Sequence, residues 1–124
     1  MINCLFVGIG GFIGSVLRYL LGQVAINNSV GFPFATLIIN FIGAMAIGIL
    51  SEISLKTGAI NPQLLLLLQV GLCGGFTTFS TFSLETFQLF DSGKIMIGAV
   101  YIALSVVLCV SAVALGKFII KAIA

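Results

Sequence analysis

Apolar residues run along this chain in four long blocks, each closed by a short polar break. The first extends from Ile2 to about Val24, interrupted only by Arg18, and the Asn27-Asn28-Ser29 cluster with Pro33 marks the turn after it. The second begins near Phe34 and ends near Glu52, where Lys56, Gly58 and Pro62 form the next break. A third runs from Gln63 to Phe90 and stops at Asp91-Ser92-Gly93. The fourth starts at Ile95 and closes near Gly116, trailed by Lys117 and Lys121. About 20 apolar residues carry a helix across a hydrocarbon core. The pattern therefore predicts a single four-helix transmembrane domain over residues 1–124, with helices at 2–24, 34–53, 63–90 and 95–118 and both termini on one side.

The third block is too long for one crossing. As a continuous helix it would measure about 42 Å against a hydrocarbon core of roughly 30 Å. Its middle reads Gly74-Gly75-Phe76-Thr77-Thr78-Phe79-Ser80-Thr81-Phe82-Ser83. Adjacent glycines weaken a helix, and the hydroxyls after them can satisfy backbone groups that a break sets free. Irregular backbone at membrane depth survives only where protein buries it or water reaches it. The block is predicted to be a helix broken mid-membrane, and the break to be the functional spot of the chain.

Composition makes the membrane reading compulsory. Hydrophobic residues are 60% of the chain and charged ones 6%. Soluble domains run at roughly 45–50% apolar, and a small one buries only about 60–70% of the surface its unfolded chain exposes. The net charge of +2 comes from scattered basic residues and gives no footing for nucleic acid. There is no His, and Glu52, Glu85 and Asp91 are the only carboxylates. Zinc chemistry and catalytic triads lack their usual parts, and no nucleophile–base pair is apparent, so the chain does not read as an enzyme. Cys4, Cys73 and Cys109 sit far apart in apolar runs and read as small hydrophobes. The N-terminal run lacks a basic stretch and a small-residue cleavage site, which predicts a retained helix.

Charge placement adds a statement about topology. Lys56, Lys117 and Lys121 fall on the terminal side, Arg18 and Lys94 on the other. So small a bias is compatible with insertion in both orientations, and hence with an antiparallel dimer; equally, one or two charges can still fix a single orientation.

Several residues carry both a packing and a functional reading. Gly10 and Gly14 form a GxxxG pair, flanked by Gly8, Gly11 and Gly22, and predict close helix packing and a candidate dimer contact. Asn40 lies inside the second helix, where its amide needs a partner: another helix, or an anion in a water-filled path. Phe76, Phe79 and Phe82 recur every third residue, close to one helix face. Aromatic rings in membranes pack, but a ring edge is positive and can meet an anion without a formal charge. Asp91 in a loop and Glu52 at a helix end are expected to be solvated, whereas Glu85 is an intramembrane acid and a functional candidate. Arg18, near a helix end, can snorkel to the interface or draw anions toward a vestibule.

The run from Gly71-Leu72-Cys73-Gly74-Gly75 through Phe76-Thr77-Thr78-Phe79-Ser80-Thr81-Phe82-Ser83, followed by Glu85, resembles the signature of the Fluc (CrcB) fluoride channels. Gly10-Gly11, Gly14 and Leu17-Arg18-Tyr19, then Thr36-Leu37-Ile38-Ile39-Asn40, resemble two more motifs of that family in order and spacing. The resemblance covers essentially the whole chain. It implies a multi-pass protein of the cell membrane, lodged in the lipid bilayer as an antiparallel, dual-topology homodimer with two fluoride pores. It makes Asn40 a pore-lining donor, and Phe79 and Phe82 the ring edges that meet the ion. Ser80, Thr81 and Ser83 map onto the polar stretch that continues the path, and Tyr101 onto a polar group near it. Gly74 and Thr77 would supply backbone carbonyls to a structural sodium ion at the dimer interface. Phe76 departs from the family, which often has Leu there, and is expected to be a packing change. Paired homologues in this family can form heterodimers instead.

Fluoride is small and tightly hydrated, so a pore must replace its water with amide, hydroxyls and ring edges while binding weakly enough to release it. The alternative from another class is a proton-coupled exporter of the small multidrug type, also four helices with possible dual topology. That type resembles a fold with an acid deep in the first helix, where this chain has glycines.

Overall fold

The computed structural model describes residues 1–24, 31–58 and 60–123, and all its regular elements are helical. We number them α1 (Ile2–Gly22), α2 (Phe34–Thr57), α3 (62–76), α4 (Phe79–Asp91) and α5 (Ile95–Ile123). The third crossing, Pro62–Asp91, is made by α3 and α4 together, so four spans are long and apolar enough to cross a membrane. The Asn27-Asn28-Ser29 turn lies outside the described residues.

Helix ends fall where backbone chemistry permits. Gly58 takes a left-handed φ of 56° after α2, and its N–H donates to the Ser54 carbonyl at 3.2 Å. Asn61 caps α3, accepting from the Gln63 N–H at 2.8 Å, with Pro62 at the first helical position where its missing N–H costs nothing. Gly93, at φ 77°, turns the chain between α4 and α5. The second and fourth helices outrun the sequence estimate, to Thr57 and Ile123, because lysines can continue a helix while their ammonium groups reach out of the apolar layer. Lys56 does so by donating to the Lys121 carbonyl at 3.2 Å.

The extension of α2 corrects the reading of Glu52. It lies inside the helix and is only 6% exposed. It stands one turn beyond Gly48, whose face packs so tightly on α5 that a Cβ would strike the Val113 carbonyl.

The packing order is α1 against α3, α2 against α5, and α4 against α5. Gly10 and Gly14 are buried, and a Cβ on either would meet α3 backbone: the Leu72 N–H at 2.8 Å from Gly10, the Phe76 N–H at 2.8 Å from Gly14. The GxxxG face is thus filled by a helix of the same chain and is not a free dimer contact. Its counterpart is Gly71 and Gly75, where an added Cβ would stand only 2.7 Å from the Val7 carbonyl oxygen and 2.6 Å from that of Gly11. Within α3 the stretch Leu66–Cys73 is π-helical, a wider turn that lets Leu67, Gly71, Leu72 and Gly75 share the side facing α1.

The remaining surface is apolar. Phe12, Leu55, Phe87, Val110 and Phe118, among many large residues, are exposed on the isolated chain. Such a surface is stable only against lipid or another apolar protein face.

Candidate functional site

The third crossing breaks at Thr77 and Thr78, not at the glycines. Gly74 and Gly75 are helical, Gly75 packed against the α1 backbone at Gly11, and the chain becomes extended at Thr77 (φ −78°, ψ 157°) and Thr78 (φ −148°, ψ 118°). A β-branched pair tolerates these dihedrals well, and the freed backbone groups find substitutes. Thr78 N–H donates to Asn40 Oδ1 at 2.7 Å, and Asn40 Nδ2 donates back to the Thr78 carbonyl at 3.0 Å. Because the N–H can only donate and the carbonyl only accept, this pairing fixes the orientation of the amide. Thr78 Oγ1 then caps α4, accepting from Thr81 N–H at 3.2 Å and donating to Thr81 Oγ1 at 3.0 Å. Ser80 Oγ lies 3.3 Å from the same hydroxyl.

The break also frees a row of carbonyls, those of Gly74 and Thr77 among them. In a continuous helix Gly74 would accept from Thr78 N–H, and Thr77 from Thr81 N–H. Both amides are diverted, one to Asn40 and one to the Thr78 hydroxyl. The oxygens of Gly74 and Thr77 are therefore deprived of their helical donors. Gly74 is exposed, with no described atom within 4 Å of where its Cβ would stand. Two oxygens at a half-helix C-terminus, where the dipole is negative, fit a hard monovalent cation in donor type and in sign. One chain offers too few ligands alone.

Beside the break lies a groove of about 410 Å³, lined by Asn40, Thr77, Thr78, Phe79, Phe82 and Ser105 among others. Among the described residues its lining includes no carboxylate and no basic side chain. The second N–H of Asn40 has no partner among the described residues. Ser105 is 8% exposed, and its buried Oγ is the one side-chain polar atom among the described residues found buried and unpartnered. Phe79 and Phe82 have ring centroids 5.5 Å apart, and Phe82 also borders a second hollow of about 330 Å³ with Ser83, Thr86 and Phe87. Phe79 is 78% exposed on the isolated chain. Phe76 does not share their face. It sits before the break, buried against Gly14 and Gly43, in a packing position.

One turn along α4, Glu85 accepts two hydrogen bonds, from Thr36 Oγ1 at 2.8 Å and from Tyr101 OH at 2.7 Å. Tyr101 is fully buried, and its ring meets Phe82 at 5.1 Å and Phe32 at 5.3 Å, the latter edge-on. The acid is therefore tied into the aromatic row through tyrosine. Ser83 Oγ turns back to the Phe79 carbonyl at 2.8 Å, so its hydroxyl hydrogen is spent within α4. Arg18 stands apart from the groove lining. Its Nε donates to the Gly75 carbonyl at 3.1 Å, with Ser15 Oγ at 3.5 Å from the same oxygen.

Sequence reasoning singled out Asn40, Phe79, Phe82, Glu85 and Tyr101, and the structure brings these together around the break. It missed Thr36 and Ser105 as site residues. Both were reachable by helical periodicity: Thr36 lies four residues before Asn40, and Ser105 four after Tyr101, so each shares a face with a residue already chosen.

The model of the family described as CrcB-like protein, Camphor Resistance (CrcB), matches residues 5–117. A fluoride-specific ion channel, FluC, of Ruminiclostridium cellulolyticum is 48% identical, over 100% of this chain and 96% of that protein. FluC of Rhizobium etli is 44% identical over 99% of both chains, and FluC 1 of Methanosarcina acetivorans 43% identical over 94% of this chain and 89% of its own. These matches run through the broken crossing and all its partners, and the chain is a multi-pass membrane protein that belongs to the CrcB family.

Proposed function

We propose that this chain is a fluoride channel that lets the ion leave the cell passively and so limits its toxicity. The observation that carries the reading is the groove at the helix break, which offers an amide, hydroxyls and two phenylalanine rings and no fixed charge. Fluoride must be given substitutes for water, and a formal cation in the path would hold it too long. Asn40 and Ser105 supply the donors with hydrogens to spare. Phe79 and Phe82 supply ring edges, and Thr81, Ser80 and Ser83 continue the polar side of the path. Relatives named as fluoride-specific channels, matched end to end, support the same choice of ion.

The functional unit we infer is an antiparallel, dual-topology homodimer with two pores in the cell membrane; a paired homologue would make it a heterodimer. The near-balanced basic residues and the wide apolar surface of the isolated chain support it. Gly74 and Thr77 carbonyls from two such chains would hold one structural sodium ion on the dimer axis. The ion would neutralise the C-terminal ends of the two half-helices, and this chain's part would be to keep its two oxygens, of Gly74 and Thr77, turned toward it. The exporter alternative has no comparable support, since α1 carries no acid.

Liposomes loaded with fluoride and reconstituted with the purified chain test the proposal. Fluoride efflux is expected once a potassium shunt is added, at a rate indifferent to an imposed proton gradient, with chloride retained. Efflux that needs the proton gradient would point to coupled export and overturn it.

A further inference from the structure

We propose that Arg18 is a positioning residue, which holds the broken helix in place by donating its Nε–H to the Gly75 carbonyl. The break frees a row of carbonyls at the C-terminal end of α3, and most lie where no described side chain reaches them. The Gly75 oxygen is the exception. It receives Arg18 Nε at 3.1 Å from one helix away, and the Ser15 hydroxyl at 3.5 Å is too long to replace it. On the other side of the same two-residue gap, Asn40 pins both backbone groups of Thr78. The broken helix is thus fastened from α1 by Arg18 at Gly75 and from α2 by Asn40 at Thr78, three residues apart in the chain with Phe76 and Thr77 between them.

The guanidinium also suits its place electrostatically. A half-helix ending in mid-membrane presents a negative dipole end, and a cation there is favourable. Arg18 is a fixed cation at that end in every protomer. It stands one residue from Gly74, and it holds the turn on which the Gly74 and Thr77 carbonyls are displayed. This reading replaces both earlier roles for Arg18, snorkelling to the interface and drawing anions, with a contact made by a specified atom.

That atom gives the test. Glutamine carries its Nε2–H₂ at the same distance along the side chain as arginine carries Nε, without the charge; methionine puts a sulfur one bond nearer the backbone and has no donor. The full chain in nanodiscs is compared as wild type, Arg18→Gln and Arg18→Met by amide hydrogen exchange over residues 74–81. We expect Arg18→Met to speed exchange at Thr77 and Thr78 by about tenfold or more, the loss of a charge-assisted bond to a group whose other donor, the Ser15 hydroxyl, stands at 3.5 Å, and Arg18→Gln to stay within about threefold of wild type. Fluoride flux per folded dimer should fall in the same order. Equal exchange in all three proteins overturns the proposal, as does a glutamine variant that exchanges as fast as the methionine one. If Arg18→Met does not fold, Arg18→Gln decides alone: wild-type exchange sustains the proposal, and tenfold faster exchange or failure to fold overturns it. The flux arm rests on the fluoride reading, but the exchange arm does not, so wild-type liposomes without fluoride efflux would sink that reading and leave this one standing or falling on exchange.

Discussion

In the proposed channel, Phe79 and Phe82 are the residues on which the chemistry of the site turns. They sit one helical turn apart, 5.5 Å between centroids, on the first turn after a break that contains no basic side chain near the groove. A phenyl ring offers an anion its edge, and isoleucine matches its apolarity and most of its bulk without that positive rim. Phe79→Ile and Phe82→Ile are each expected to cut fluoride flux per folded dimer by about tenfold, near the upper end of what one aromatic contact supplies. Melting temperature and dimer fraction should stay close to wild type for Phe79, whose ring is mostly exposed on the chain. Near-normal flux in both well-folded variants would remove the ring-edge mechanism and leave the fluoride assignment intact. Phe82→Ile carries a second burden, because its ring also packs on Tyr101 at 5.1 Å. The sequence made these two rings legible through their spacing and their hydroxyl neighbours. Periodicity alone could not separate Phe76 from them, because a period of three is uniform along a helix and says nothing about a break that falls inside it; only its departure from the family's Leu marked it as a packing position. Nor could it reveal that Asn40 spends half its amide on Thr78, since that pairing joins residues far apart in the chain.

The broken crossing owes its shape to two kinds of contact with different tolerances. Upstream of the break, Gly71 and Gly75 lie against α1 backbone at distances no Cβ can share, while their own dihedrals are ordinary helix. The constraint at Gly75 is therefore space and not backbone freedom, contrary to what adjacent glycines in a sequence suggest. Gly75→Val must push α1 and α3 apart, an overpacking cost of about 1–3 kcal/mol or more. Thr77→Val keeps the shape that packs on Gly43 and loses one hydroxyl bond, to the Cys73 carbonyl at 2.9 Å, for about 0.5–1.5 kcal/mol. Thermal melting in sodium against a large organic cation checks both. Wild type and Thr77→Val should gain stability from sodium, since the proposed ligands are backbone oxygens, whereas Gly75→Val should melt early and lose the gain. A wild-type protein indifferent to sodium would remove the cation from the scheme. The four crossings were readable from length and hydropathy, and the fact of a break from the length of the third block together with its glycine pair and hydroxyl run, because a bilayer admits so few solutions. The position of the break was not. It depends on which backbone groups α1 and α2 occupy, and those are tertiary facts.

For the molecule as a whole, the open question is how its apolar exterior is divided between lipid and a second copy. The GxxxG face, the surface a sequence reader would give to a dimer, is already filled by α3 of the same chain. What remains open is the side of the break where Gly74 is exposed and where Phe79, Ser80 and Ser83 face outward. A two-fold axis through that side would bring two breaks together and turn the paired carbonyls toward each other, which an antiparallel arrangement achieves only if half the chains insert each way. Insertion in both senses demands that neither end of the bundle hold a decisive surplus of basic residues. Lys56 and Lys121 meet at one end with Lys117 nearby in the chain, and Arg18 and Lys94 belong to the other. Arg18 is occupied at the Gly75 carbonyl and Lys94 Nζ lies close to Gly31, so the opposite end is weakly charged but not bare. A C-terminal reporter on the wild-type chain, read for cytoplasmic and external location in the same cells, is expected to give comparable signal from both sides. Two lysines added between the first and second helices should move nearly all of it to the external side, by holding that loop in the cytoplasm. Flux should then fall with the loss of oppositely inserted partners, and return when a chain biased the other way is coexpressed. A wild-type reporter confined to one side, with no paired homologue present, would exclude the antiparallel homodimer and leave each groove to be completed by something other than a second copy of this chain.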